Sequence, residues 1–130
     1  MNLWHLYGDA DGETHIRRIE LEQVDVAGAG EGVDRIGMLR VPVTGLNISE
    51  LGQRVPDLGI HPAPARRFLT LMSGTYEITT SLGEKVRLQP GDCAFVDDMG
   101  TKGHYSDDIG DEPLTFFGVD VPDDWTYRPA

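Results

Sequence analysis

Two histidines, His61 and His104, bracket a run of short strand-like segments, and their types and placement could do chemistry. Neutral imidazole is a general acid or base near neutral pH, and a common protein ligand for zinc, iron, nickel and manganese. Between them stands Arg67, a permanent cation whose planar guanidinium suits a carboxylate or an enolate oxygen. Asp97 and Asp98 precede His104, and Tyr105 follows it. The candidate catalytic residues are therefore His61, His104, Arg67, Asp97 and Tyr105, with Asp98 as the alternative carboxylate to orient a base or act as one. His61 and His104 are also the candidate ligands of a divalent metal (Zn, Fe, Ni or Mn). Two imidazoles are fewer than a tight site uses, since catalytic zinc normally has three protein ligands and iron two histidines and a carboxylate. Glu77, Asp97 or Asp98 could add the carboxylate, and His5 or His15 could reach in from the N-terminal hairpin. The structural alternative for each histidine is a satisfied interior residue. For Arg67 it is an ion pair with Asp97 or Asp98, because a buried unpaired charge is costly.

Histidines so far apart in sequence meet only if the elements between them fold back on one another. The run Arg66 to Met72 ends at Ser73-Gly74, and TYEITTS follows it. Then come a turn at Leu82 to Lys85, the run Val86 to Gln89, the bend Pro90-Gly91-Asp92, the run CAFVD, and a turn from Gly100 to Gly103. Short strands with regular turn punctuation predict an all-β sandwich or barrel. With Arg67 taken as the inward residue, alternation points the adjacent Arg66 to solvent, and a one-residue slip exchanges them.

Upstream, Met1 to Tyr7 and Thr14 to Glu22 predict strands joined by turn chemistry at Gly8 to Gly12. Asp9, Asp11 and Glu13 form a hairpin turn in this reading; the later ligands and flanking helices of a calcium loop are missing. Val24 to Gly32 is a small-residue loop with no following GK[ST], so it is no phosphate cradle. Arg35 to Val43 predicts a strand at an edge or bulge, since Pro42 cannot donate to a ladder. Thr44 to Pro56 reads as polar and irregular, with one helical turn at Ser49 to Gln53. Pro62 and Pro64 hold the chain extended after His61. Beyond His104, Tyr105 to Pro113 reads as acidic and turn-rich, with Asp107 to Glu112 a solvated loop. Leu114 to Val121 is the last strand, and Trp125 and Tyr127 in the tail are expected to pack on the barrel or on a second subunit. The pattern yields about eight to ten strands and at most a turn or two of helix.

The stretch from His61 to His104 resembles the cupin superfamily. Counting back from Gly74, Arg67 stands where that family carries a glutamate, His61 where it carries its first histidine and Ala63 where it carries its second. Pro90-Gly91-Asp92 and His104 match the second motif, with Met99 and Thr101 in place of its usual proline and glycine. The resemblance implies a double-stranded β-helix, or jelly-roll barrel, as a single domain over 1–130, with a strand hairpin at 1–23, the barrel at 34–121 and a tail at 122–130. It implies that His61 and His104 face the barrel centre, with a metal set that lacks one histidine and the carboxylate. It also implies a homodimer that exchanges or pairs N-terminal strands, and edge strands left open by a sandwich give a partner something to cover.

Eleven basic residues against 22 acidic ones give a formal net charge of −11, which argues against nucleic acid or an anionic membrane surface as partner. The one cysteine, Cys93, cannot form an internal disulfide and reads as a buried, inert thiol. There is no apolar run of transmembrane length and no basic, apolar leader at the N-terminus. A cytoplasmic protein is expected. The function these residues suggest is binding of a small anionic or carbonyl-bearing metabolite, with isomerase or lyase chemistry by His61, His104 and Arg67. The alternatives are a non-catalytic ligand sensor and a metal-dependent dioxygenase.

Overall fold

The alternation seen in the sequence becomes two opposed sheets in the computed structural model, which describes residues 1–25, 35–51 and 59–129. Among the described residues there are eleven strands and no helix. They are β1 (Leu3–Gly8), β2 (Thr14–Arg18), β3 (Glu22–Asp25), β4 (Arg35–Met38), β5 (Gly45–Leu51) and β6 (Arg67–Ser73), followed by β7 (Thr75–Thr80), β8 (Lys85–Leu88), β9 (Cys93–Asp97), β10 (His104–Ile109) and β11 (Leu114–Asp120). A six-stranded sheet runs β2-β1-β9-β6-β11-β5, a three-stranded sheet runs β10-β7-β8, and β3 and β4 form a ribbon. The β1–β9 ladder is parallel, Leu3 opposite Cys93 through Tyr7 opposite Asp97, and the other ladders are antiparallel. No helix of the described residues is long and apolar enough to cross a membrane.

Pleating sends alternate side chains of the large sheet to opposite faces. Leu6, Leu71, Ala94 and Leu114 point inward and meet Ile78 and Leu88 of the small sheet, all nearly or fully buried. Removing the Leu71 side chain from that layer would cost about 2–5 kcal/mol. Phe68, Cys93 and Phe95 point outward, where Ile19, Val121, Trp125 and Tyr127 cover them. The large sheet is thus buried on both faces where the C-terminal tail crosses it. Trp125 and Tyr127 do pack on the sheet, as their apolar area requires.

Several elements differ from the sequence reading. Thr44 to Pro56 is not irregular as far as it is described: Gly45–Leu51 is a seven-residue edge strand paired to β11, and Ser49 to Leu51 belongs to it rather than to a helical turn. Leu46 and Ile48 alternate with Asn47 and Ser49, a period-two pattern only four residues long, and the apolar pair stands exposed on this edge strand. The acidic run after His104 is strand through Ile109, laid against β7. Thr14 to Glu22 is broken after Arg18, and the strand from Arg35 ends at Met38, ahead of Pro42. The loop expected at Val24 to Gly32 lies, from residue 26 on, outside the described residues, as do Gln53 and residues 55–58 of the approach to His61.

Candidate functional site

Between the sheets, on the side of β5, β6 and β11, lies a cavity of about 280 Å³. Its polar lining comes from His61, Arg67, Tyr76, His104, Ser106 and Asp108, and Leu69, Leu71, Val96, Leu114 and Phe116 are among its apolar walls. Strand alternation explains the selection: His104, Ser106 and Asp108 of β10 share the inner face, and Arg67, Leu69 and Leu71 share that of β6. The two histidines are brought together. His61 and His104 form a two-way backbone bridge at 3.0 Å in each direction, and their rings sit 5.4 Å apart. Gly103 permits that approach, since it holds a φ of 89° and a Cβ there would lie 2.0 Å from the His61 carbonyl carbon.

His104 is buried and donates from Nδ1 to Asp98 Oδ2 at 2.5 Å. Asp98 is fully buried, and its other oxygen accepts from the backbone N–H of Ala63 at 2.9 Å. With its carboxylate held at both oxygens, Asp98 fixes the ring of His104 and leaves Nε2 as the nitrogen a ligand can meet. His61 donates from Nδ1 to the Gly59 carbonyl at 3.1 Å, which likewise leaves its Nε2 to accept. Tyr76 adds a phenol to the cavity. Burial pushes its pKa up, against a hydrogen bond from Ser106 that lowers it, so it remains a neutral donor at physiological pH.

Arg67 lines the cavity, the inward direction expected of it, but its partner is neither Asp97 nor Asp98. Its Nε donates to Asp120 Oδ1 at 2.7 Å, across the β6–β11 ladder where the two residues are opposite each other. Asp97 lies on the other face of the large sheet. There it accepts from Arg66 Nε at 2.6 Å and from His5 Nε2 at 2.9 Å. Arg66, expected in solvent, is 10% exposed and also donates to the carbonyls of Pro122 and Asp123. Alternation gave its face correctly, and the tail that covers this face was not visible in the strand pattern. Tyr105 points out of β10 and is 43% exposed, away from the cavity.

Beside the two imidazoles, Asp108 is the one carboxylate that lines the cavity among the described residues, and the other candidate ligands are engaged elsewhere. His5 is held by Asp97 and Arg17, and His15 pairs with Asp9 at 2.6 Å in the hairpin. Glu77 sits on the outer face of the small sheet with Arg87 at 2.9 Å. Asp98 has both oxygens engaged, and Arg67 adds a fixed positive charge to the same cavity. Among the described residues no three of His, Cys, Asp and Glu are grouped to hold a metal, so the three-ligand pattern is not met. Cys93 is buried, and burial pushes its thiol pKa up, with Thr70 opposing, which suits an inert thiol.

Sequence reasoning missed Asp120, Tyr76, Ser106 and Asp108. Asp120 was findable as the lone charge in the apolar run LTFFGVDV, a residue type that needs a partner in such a strand. Asp108 was hidden by its acidic neighbours. No protein-family model and no curated protein sequence matches the chain.

Proposed function

We propose that the cavity binds a small metabolite bearing a carboxylate or an enolisable carbonyl, and that the protein is an isomerase- or lyase-type enzyme working by proton transfer at His104. The observation that carries this reading is the buried Asp98–His104 pair at 2.5 Å, with the second imidazole nitrogen left to the cavity. In the proposed step, neutral His104 takes a proton at Nε2 from the carbon next to the carbonyl. The C–H electron pair becomes the C=C bond of the enolate while the C=O π pair moves onto oxygen, and that oxygen is met by Arg67 and the Tyr76 phenol. Return of the proton to a neighbouring carbon isomerises the substrate; loss of a β-substituent with the electron pair gives the lyase outcome. The Asp98 carboxyl group, fixed on Nδ1, orients the ring and supports the imidazolium. A cupin-type barrel is the fold this reading assumes, supported by His61 and His104 lying side by side between two sheets.

The apolar lower wall of the cavity favours a second reading, a binding module that returns its ligand unaltered. One experiment separates the two. Short 2-oxo, 3-oxo and 2-hydroxy acids are incubated with the protein in D2O and followed by NMR. Catalysis predicts enzyme-dependent exchange of the carbon-bound proton, lost in His104→Gln. Binding without exchange for every acid would leave the binding module, and no binding by any of them would sink both.

A further inference from the structure

We infer that Asp120 occupies, on Arg67, the place a ligand's carboxylate takes, so that the cavity selects compact monocarboxylates that enter by exchanging with Asp120. This rests on the carboxylate reading above. Arg67 is half used: Asp120 engages its Nε, and the η nitrogens have no partner among the described residues. A guanidinium takes a carboxylate best through two parallel N–H groups, so Asp120 on Nε closes the Nε–Nη edge to a bidentate ligand until it moves.

The pair is also exposed enough to open. The side chains of Arg67 and Asp120 are 32% and 30% exposed, so Asp120 can turn to water without becoming a buried charge. Exposed pairs of this kind contribute only about 0–1 kcal/mol. The neighbouring Arg66–Asp97 pair, at 10% and 19%, has no such freedom. Arg67 lines the cavity and Asp120 does not, so the carboxylate stands at the rim while the cation reaches in.

Gly118 fixes which partner moves. A Cβ on Gly118 would lie 2.9 Å from Arg67 Cδ, so the arginine stem lies against bare backbone and is held over the cavity. The acid is therefore the group that leaves. The apolar walls beyond Arg67 are Leu69, Leu71, Val96, Leu114 and Phe116, which suit a short apolar body, and among the described residues no second arginine or lysine lines the cavity to meet a dicarboxylate.

The test is calorimetric titration of benzoate and hexanoate, with benzamide and succinate as controls, into the full chain and its variants, each checked for folding by thermal melt. Asp120→Asn, which keeps shape and loses the competing charge, should tighten monocarboxylate binding up to roughly fivefold, the strength of an exposed ion pair read as a ratio. Benzamide should not respond, and succinate should bind more weakly than the monocarboxylates. Arg67→Met should weaken the acids by about tenfold or more. Unchanged or weaker binding in Asp120→Asn, with the Arg67→Met loss intact, overturns the exchange and leaves the carboxylate reading standing. No binding of either acid to any form, or binding indifferent to Arg67→Met, overturns both.

Discussion

Consecutive residues, Asp97 and Asp98, each hold a histidine, and they do so on opposite faces of one sheet. On the outer face His5 is sealed. Its Nε2 donates to Asp97, its Nδ1 accepts from Arg17 at 3.0 and 3.1 Å, its ring stacks on Phe95, and Tyr127 closes over it edge-on. On the inner face His104 has one nitrogen held by Asp98 and the other left to a cavity. The residue types are the same in both pairs. What separates the two histidines is whether the second nitrogen has a fixed partner. Arg17 supplies that partner to His5, and its guanidinium also rests over the Tyr7 ring at 4.3 Å, so the whole outer cluster is mutually braced.

The largest expected effect breaks the inner pair. If proton transfer is the chemistry, His104→Gln should lower exchange or turnover by about 10²–10⁴-fold, the usual worth of a positioned acid–base group, with His5→Gln leaving the per-molecule rate of the folded fraction unchanged. An equal loss in both variants would erase the distinction. The outer pair should break in stability instead. Asp97→Ala strands Arg66 and His5 together, and chemical denaturation should show a loss of about 3–5 kcal/mol, with ligand affinity of the folded protein retained.

Acid should sharpen the same contrast. Burial pushes the Asp97 carboxyl up, but hydrogen bonds from His5 and Arg66 and the charge of Arg66 hold it below its ordinary value of 3.8. A lowered pKa in the folded state means stability that is present above the ordinary value and drains away as pH falls through the folded one. Denaturation midpoints measured between about pH 5 and pH 2 should fall less steeply in Asp97→Asn than in the parent. Asp92 titrates in the same direction: burial opposes, while the amides of Gln89 and Asn2 hold it low. The informative quantity is thus the difference between the two proteins. The smallest effect belongs to Tyr105→Phe, which should stay within about 0.5 kcal/mol in stability and unchanged in exchange rate. A large rate loss there would move the chemistry to the outside of β10.

The limits of what the sequence could convey follow from the same two faces. Pattern reading located β9 and β6 as short, largely apolar runs between turns, the form taken by strands buried on both faces. It failed for β10, whose Tyr105, Asp107 and Asp108 look like loop residues until β7 is seen to pair with them. It failed again for β5, an edge strand with polar residues on one face. The meeting of His61 with His104 was legible from the run of short strands between them and from the motif positions they hold. The choice between Asp97 and Asp98 was not, since it depends on where β9 ends and on what each face of the sheet meets. Arg66 and His5 owe their burial to a tail that lies far away in the chain.

The parallel ladder between β1 and β9 has a consequence for how the chain is made. The backbone N–H of Asn2 donates to Asp92, ninety residues away in sequence, and His5 reaches Asp97 across the same gap. On a translating ribosome β1 emerges early and must wait on the order of ten seconds for β9 to be synthesised. During that interval Trp4 and Leu6 have β2 as their one sheet neighbour and no core, and the nascent hairpin offers chaperones and proteases an apolar face. Trapping nascent chains of increasing length should show β1 protease-sensitive until residues beyond Asp97 have cleared the exit tunnel. Consolidation of this fold is therefore a late event, set by the arrival of its ninth strand.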